Sequence, residues 1–117
     1  PPLNVCLQVN VSGEASKSGC APSEAPALAA AIAHLPGLRL RGLMTIPEPT
    51  DDAALQRRRF ASLRETLASI SAQTGSRLDT LSMGMSHDLE AAIAEGATHV
   101  RVGSAIFGSR QVTSAAG

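Results

Sequence analysis

The sequence predicts an α/β domain with parallel strands of the (β/α)8 TIM-barrel type, and three observations carry that prediction. Strand and helix signals alternate four times along 117 residues, with the last helix only beginning. Residues 3–11 alternate strictly, with Leu3, Val5, Leu7, Val9 and Val11 on one face and Asn4, Cys6, Gln8 and Asn10 on the other. The apolar face suits covering helices, and the polar face suits a lumen that holds a polar ligand. Two consecutive late strands each end in a small turn, Gly84-Met85-Ser86 and Gly103-Ser104-Ala105. Each turn offers backbone N–H groups and a hydroxyl, the chemistry of an anion site, and the pair fits the phosphate site after strands 7 and 8 of such a barrel. Four strands do not close a barrel, which takes roughly 250 residues, so the chain is expected to supply half of one.

The remaining elements follow in order. Residues 12–22 form a Ser- and Gly-rich loop with Glu14, Lys17 and Gly19. Ser23 is the expected cap of a helix over 24–35, with Leu28, Ile32 and Leu35 as its buried stripe and Pro36-Gly37 as its stop. A second strand covers 38–46, with Leu38, Leu40, Met44 and Ile46 on one face and Arg39, Arg41, Leu43 and Thr45 on the other. Thr50 or Asp51 caps a helix that runs to about residue 74, buried through Phe60, Leu63, Leu67 and Ile70 and closed by Gly75. A third strand (79–83), a helix (88–95) stopped by Gly96, and a fourth strand (99–102) complete the pattern. Within the fourth strand Arg101 alternates with Val100 and Val102, so it points away from its apolar neighbours.

Composition narrows the function classes. Ten basic and ten acidic residues give no net field to steer the chain to nucleic acid or an acidic membrane. Phe60 and Phe107 are the only aromatic residues, so a stacking platform for bases or sugars is not expected. Arg57-Arg58-Arg59 lie on a helix, where such a run reads as a solvated face. The apolar runs are too short to span a bilayer, no signal-peptide pattern opens the chain, and two cysteines without CxxC spacing read as reduced thiols. A cytoplasmic setting is expected. No His, Cys, Asp and Glu cluster has metal-ligand spacing. Lys17 is the single lysine among ten basic residues, and it reads first as a solvated loop residue.

Four segments together resemble a known family: Leu3-Asn4-Val5 through Asn10-Val11-Ser12 with Ser16-Lys17-Ser18-Gly19, Leu40-Arg41-Gly42-Leu43-Met44 with Ile46-Pro47, Leu81-Ser82-Met83-Gly84-Met85-Ser86 with Asp88 and Glu90-Ala91-Ala92-Ile93, and Val100-Arg101-Val102-Gly103-Ser104-Ala105-Ile106-Phe107-Gly108. The chain resembles the pyridoxal phosphate homeostasis proteins, single-domain relatives of the alanine racemase N-terminal barrel, over about residues 3–110. The resemblance implies a fold-type III barrel of which this chain supplies strands five to eight, with pyridoxal 5′-phosphate at its C-terminal mouth. It implies that Ser86, Gly103 and Ser104 hold the phosphate, that Met85 packs near the cofactor and that Arg101 faces the pyridine nitrogen. An arginine cannot give up its proton there, so the ring nitrogen stays neutral and the ring is a weak electron sink. The family's Schiff-base lysine belongs to the first barrel strand and has no counterpart here; Lys17 corresponds to a different, loop lysine.

The resulting expectation is a non-catalytic protein of vitamin B6 homeostasis that buffers or delivers the cofactor. No catalytic residue is assigned, because a racemase needs an acid/base group on each face of its substrate adduct. Alternatives remain: a fragment of an amino-acid racemase or another pyridoxal phosphate enzyme, a phosphosugar barrel using the same turns, or a scaffold. Ser86 alone also reads as a helix N-cap, and Arg101 as a lumen arginine paired with a carboxylate. Partners expected are the cofactor, the missing half-barrel, or a second copy at open strand edges.

Overall fold

The computed structural model describes residues 2–12 and 19–101. Among them, β1 (Leu3–Gln8), β2 (Leu38–Met44) and β3 (Thr80–Ser82) form one parallel sheet in that order. α1 (Ala25–Ala33) connects β1 to β2, α2 (Ala53–Thr74) connects β2 to β3, and α3 (Leu89–Ala94) follows β3. The expected fourth strand is present as a parallel bridge between Ser82 and His99, extended by Met83 N–H donating to the His99 carbonyl at 3.0 Å and Arg101 N–H to the Gly84 carbonyl at 3.0 Å. Repeated βα units with parallel pairing are the arrangement the alternating signals predicted.

The core lies between the sheet and its helices. Val9, Leu43, Leu81 and Met83 from the sheet side meet Phe60, Leu63 and Ile70 of α2 and Ala91 and Ala92 of α3. The expected stripe of α2 is therefore the one used, with Leu67 packed against it. Its cap is Asp52, one residue later than Asp51, whose carboxylate accepts from Leu55 N–H at 3.1 Å. Gly75 follows the last turn, its N–H on the Ser71 carbonyl at 3.0 Å.

Strict alternation fails in β2. Val5 pairs with Leu40 and Cys6 with Gly42, so Arg41 is an extra residue at a β-bulge. The one-residue slip exchanges the faces of everything after it. Leu43 and Thr45 are consequently buried, whereas Ile46 is exposed, the reverse of the expected faces. Gly42 occupies the bulge because a Cβ there would overlap the carbonyl oxygen of Thr80 on β3. Arg41 turns its guanidinium onto Asp79, with Nε at 3.2 Å and Nη2 at 2.6 Å from the carboxylate. These bonds hold the Asp79 carboxyl down to about 2.

α1 also differs from expectation. It buries Ala25 and Ala29, while Leu28 and Leu35 are exposed. The helix reads Ala-Pro-Ala-Leu-Ala-Ala-Ala-Ile-Ala, and with no polar face the sequence alone does not orient it. The alanine side allows the closest backbone approach to β2 and α2, and that side wins. Ser23 lies in a preceding 3-10 turn, where Glu24 rather than Ser23 reaches back, accepting from Ala21 N–H at 2.9 Å. The outer edge of β1 is partly covered by the chain itself, since Asn10 N–H donates to the Cys20 carbonyl at 2.7 Å and Cys20 N–H to Gln8 at 3.1 Å. Both cysteines are free thiols. Among the described residues no helix is long and apolar enough to cross a membrane, and no His, Cys, Asp and Glu group could hold a metal ion.

Candidate functional site

The turn after β3 is shaped by three constraints. Leu81 and Met83 bury their side chains under the helices, which leaves Ser82 on the opposite face. Gly84 then adopts φ +104°, and a Cβ at this position would lie 2.5 Å from the buried Ala92 Cβ, so only glycine lets the chain pass this close to α3. Asp88, itself buried, reaches back and accepts from Met85 N–H at 2.6 Å, which locks the 3-10 turn Ser86–Asp88 ahead of α3. This aspartate was not among the expected site residues. Its signal is an acidic residue three positions after the start of a turn, the reach-back half of a capping box.

Arg101 is brought to this turn by backbone pairing, since its N–H donates to the Gly84 carbonyl at 3.0 Å. It is half-buried and lines two adjoining hollows. The smaller lies at the C-terminal ends of the strands, between Thr45-Ile46 and Ser82-Met83-Gly84-Met85. The larger, an open cleft of about 400 Å³, extends along the inner face past Cys6, Thr80, Ser82 and His99. Thr45 secures the floor: it is buried, its hydroxyl donates to the Val9 carbonyl at 2.6 Å and its N–H to Ser82 at 3.1 Å. Burial raises the pKa of the Cys6 thiol, which Arg41 partly opposes, so the thiol is neutral at pH 7.

Of the expected site residues, the structure gathers Met85, Ser86 and Arg101 at one end of the sheet, with Met85 and Ser86 exposed at its rim. Gly103 and Ser104, and likewise Lys17, lie outside the described residues. Chemically the gathered set offers a donor-only cation, a hydroxyl and a thioether at the C-terminal end of the sheet.

A charged cluster ties the end of α3 to α2. Glu95, at the end of α3, is buried and accepts from Arg57 Nε at 2.8 Å and Arg64 Nη1 at 2.5 Å, both on α2. The Arg57 hydrogen bond chiefly lowers its pKa, against the opposing effect of desolvation. Arg59 donates to the Glu48 carbonyl at 2.7 Å. Arg57 and Arg58 are exposed, as the solvated-face expectation has it, although Arg57 also bonds Glu95; Arg59 is half-buried on the Glu48 carbonyl.

Residues 1–111 match the family described as alanine racemase, N-terminal domain. The chain is 68% identical over 110 residues to the pyridoxal phosphate homeostasis protein of Pseudomonas aeruginosa and 51% identical to that of Escherichia coli, covering 94% of this chain in each case. It covers 46% of the Pseudomonas protein and 47% of the Escherichia protein, so it spans about half the length of these relatives. Among solved structures, an unknown protein from Bifidobacterium adolescentis superposes with a TM-score of 0.85 at 50% identity, covering 91% of this chain and 43% of that one. PipY of Synechococcus elongatus with PLP bound superposes with a TM-score of 0.75 at 37% identity, covering 90% of this chain and 49% of PipY. On the match over residues 1–111 and the parallel α/β fold that accompanies it, the chain belongs to the alanine racemase N-terminal domain family.

Proposed function

We propose that this chain is the C-terminal half of a (β/α)8 barrel, strands five to eight, and binds pyridoxal 5′-phosphate in a cofactor-buffering or cofactor-delivering role in the cytoplasm. Relatives bearing the homeostasis name and PLP-bound PipY support the reading. The observation that carries it is the register that sets Arg101 beside the Gly84-Met85-Ser86 turn. In this reading Ser86, Gly103 and Ser104 grip the phosphate, Met85 packs beside the ring and Arg101 donates to the pyridine nitrogen. The cofactor itself supplies an aldehyde that reacts with amines and an electron-withdrawing ring. An arginine on that nitrogen donates a hydrogen bond rather than a proton, so the nitrogen stays unprotonated and the ring's electron demand is low. The remaining strands of the barrel would pair with the part of the β1 edge near Asn4 and Cys6 that Cys20 leaves uncovered.

The test is Arg101→Gln, read by PLP binding. The expected outcome is a loss of affinity of about tenfold, from removal of one charge-assisted hydrogen bond, with the far-UV circular dichroism unchanged. Unchanged affinity would remove Arg101 from the site.

A further inference from the structure

A cavity of about 320 Å³ lies at the opposite end of the sheet from the cofactor turn. It opens among the start of β2, the C-terminal ends of α1 and α2, and the segment 76–78 that leads toward β3. Its inner wall is apolar: Ala29 and Ile70 are fully buried, and Leu38, Leu40 and Leu78 are half-buried. The space exists because α1 turns its alanines, not its leucines, toward the sheet. It falls within the range of small-ligand pockets, which begin at about 300 Å³.

Arg39 and Arg77 line the same cavity. Arg41, Arg57 and Arg64 each have a carboxylate partner, whereas neither Arg39 nor Arg77 has a partner among the described residues. The Thr74 hydroxyl at the rim is already spent, donating to the Ile70 carbonyl at 2.8 Å. An apolar wall with two unpartnered guanidinium groups is complementary to one class of ligand. It excludes cations, and the wall gains nothing from a bare, fully hydrated anion.

We propose that this cavity binds a small amphipathic anion, a carboxylate or phosphate headgroup on an apolar tail of several carbons, with Arg39 and Arg77 on the headgroup. The site is separate from the cofactor turn and does not depend on PLP binding there.

The experiment titrates the 15N-labelled chain with octanoate below its micelle concentration and follows amide shifts. Inorganic phosphate and 1-octanol serve as half-ligands. Expected are saturable octanoate shifts at Ala33, Leu38, Arg39, Arg77 and Leu78 that neither half-ligand reproduces. The double variant R39Q/R77Q, altered only at exposed positions, should weaken octanoate by about tenfold or more. Ala33→Phe, which fills the cavity and leaves both arginines in place, should weaken it as well. The proposal is overturned if octanoate shifts do not saturate, if phosphate or octanol binds equally well, or if either variant binds as the parent does.

Discussion

Gly42→Ala is expected to lower the stability of the domain by at least about 3 kcal/mol, toward the upper end of single-site effects. The added methyl would meet the Thr80 carbonyl oxygen, with the carbonyl carbon at 2.6 Å and Cα at 2.9 Å. All three atoms are backbone of the neighbouring strand, so no side-chain rotation relieves the overlap. Either β3 moves away from β2 or the bulge at Arg41 is lost. Loss of the bulge would send Leu43 to the lumen face and Met44 to the core. Urea denaturation gives the measurement, as a lower midpoint; a midpoint within experimental error of the parent would mean that the bulge geometry is wrong.

The second large effect is expected at Glu95→Gln. α3 spans six residues, too short to persist on its own propensity. It is held by alanine packing and by the two arginine bonds to Glu95. The amide side chain keeps one acceptor oxygen and places an NH2 group against the other guanidinium. Hydrogen exchange at the Glu95 and Ala97 amides, which bond back to Ala91 and Ala92, should accelerate by about tenfold, as local opening becomes easier. The pH dependence has a definite sign. The folded Glu95 carboxyl titrates below its ordinary value of 4.5, so its contribution is present at neutral pH and is lost as pH falls through the folded value. Asp79 adds the same sign between 3.8 and about 2. The parent should therefore lose α3 protection on acidification, while Glu95→Gln should begin low and change less. Equal exchange rates in the two proteins at pH 7 would assign α3 to packing alone.

Much of this fold is legible in the sequence because apolar periodicity and caps act locally. The stripe of α2, the stop at Gly75 and the strand 3–8 depend on nearest neighbours and were readable. Two features were not. The bulge in β2 is set by the contact of Gly42 with Thr80, 38 positions along the chain, and no local pattern records it. The face of α1 is undecided by a run of alanines, and only packing against β2 and α2 selects Ala25 and Ala29. At the site, the turn 84–86 and Arg101 were marked by their residue types and Asp88 by its spacing from Met85, whereas the Arg57–Glu95–Arg64 clamp required the tertiary structure. The arginine run does not show which of its members meets a carboxylate, because Glu95 lies 38 positions further along the chain.

The most direct test of the proposed cofactor grip is equilibrium dialysis of the chain against pyridoxal 5′-phosphate and, separately, pyridoxal. The two ligands share the ring and the aldehyde and differ in the phosphate. The account predicts saturable binding of the phosphate form, with pyridoxal weaker by about tenfold or more, since the turn and its hydroxyls act on the anion. Equal binding of the two, or binding of neither, would contradict it.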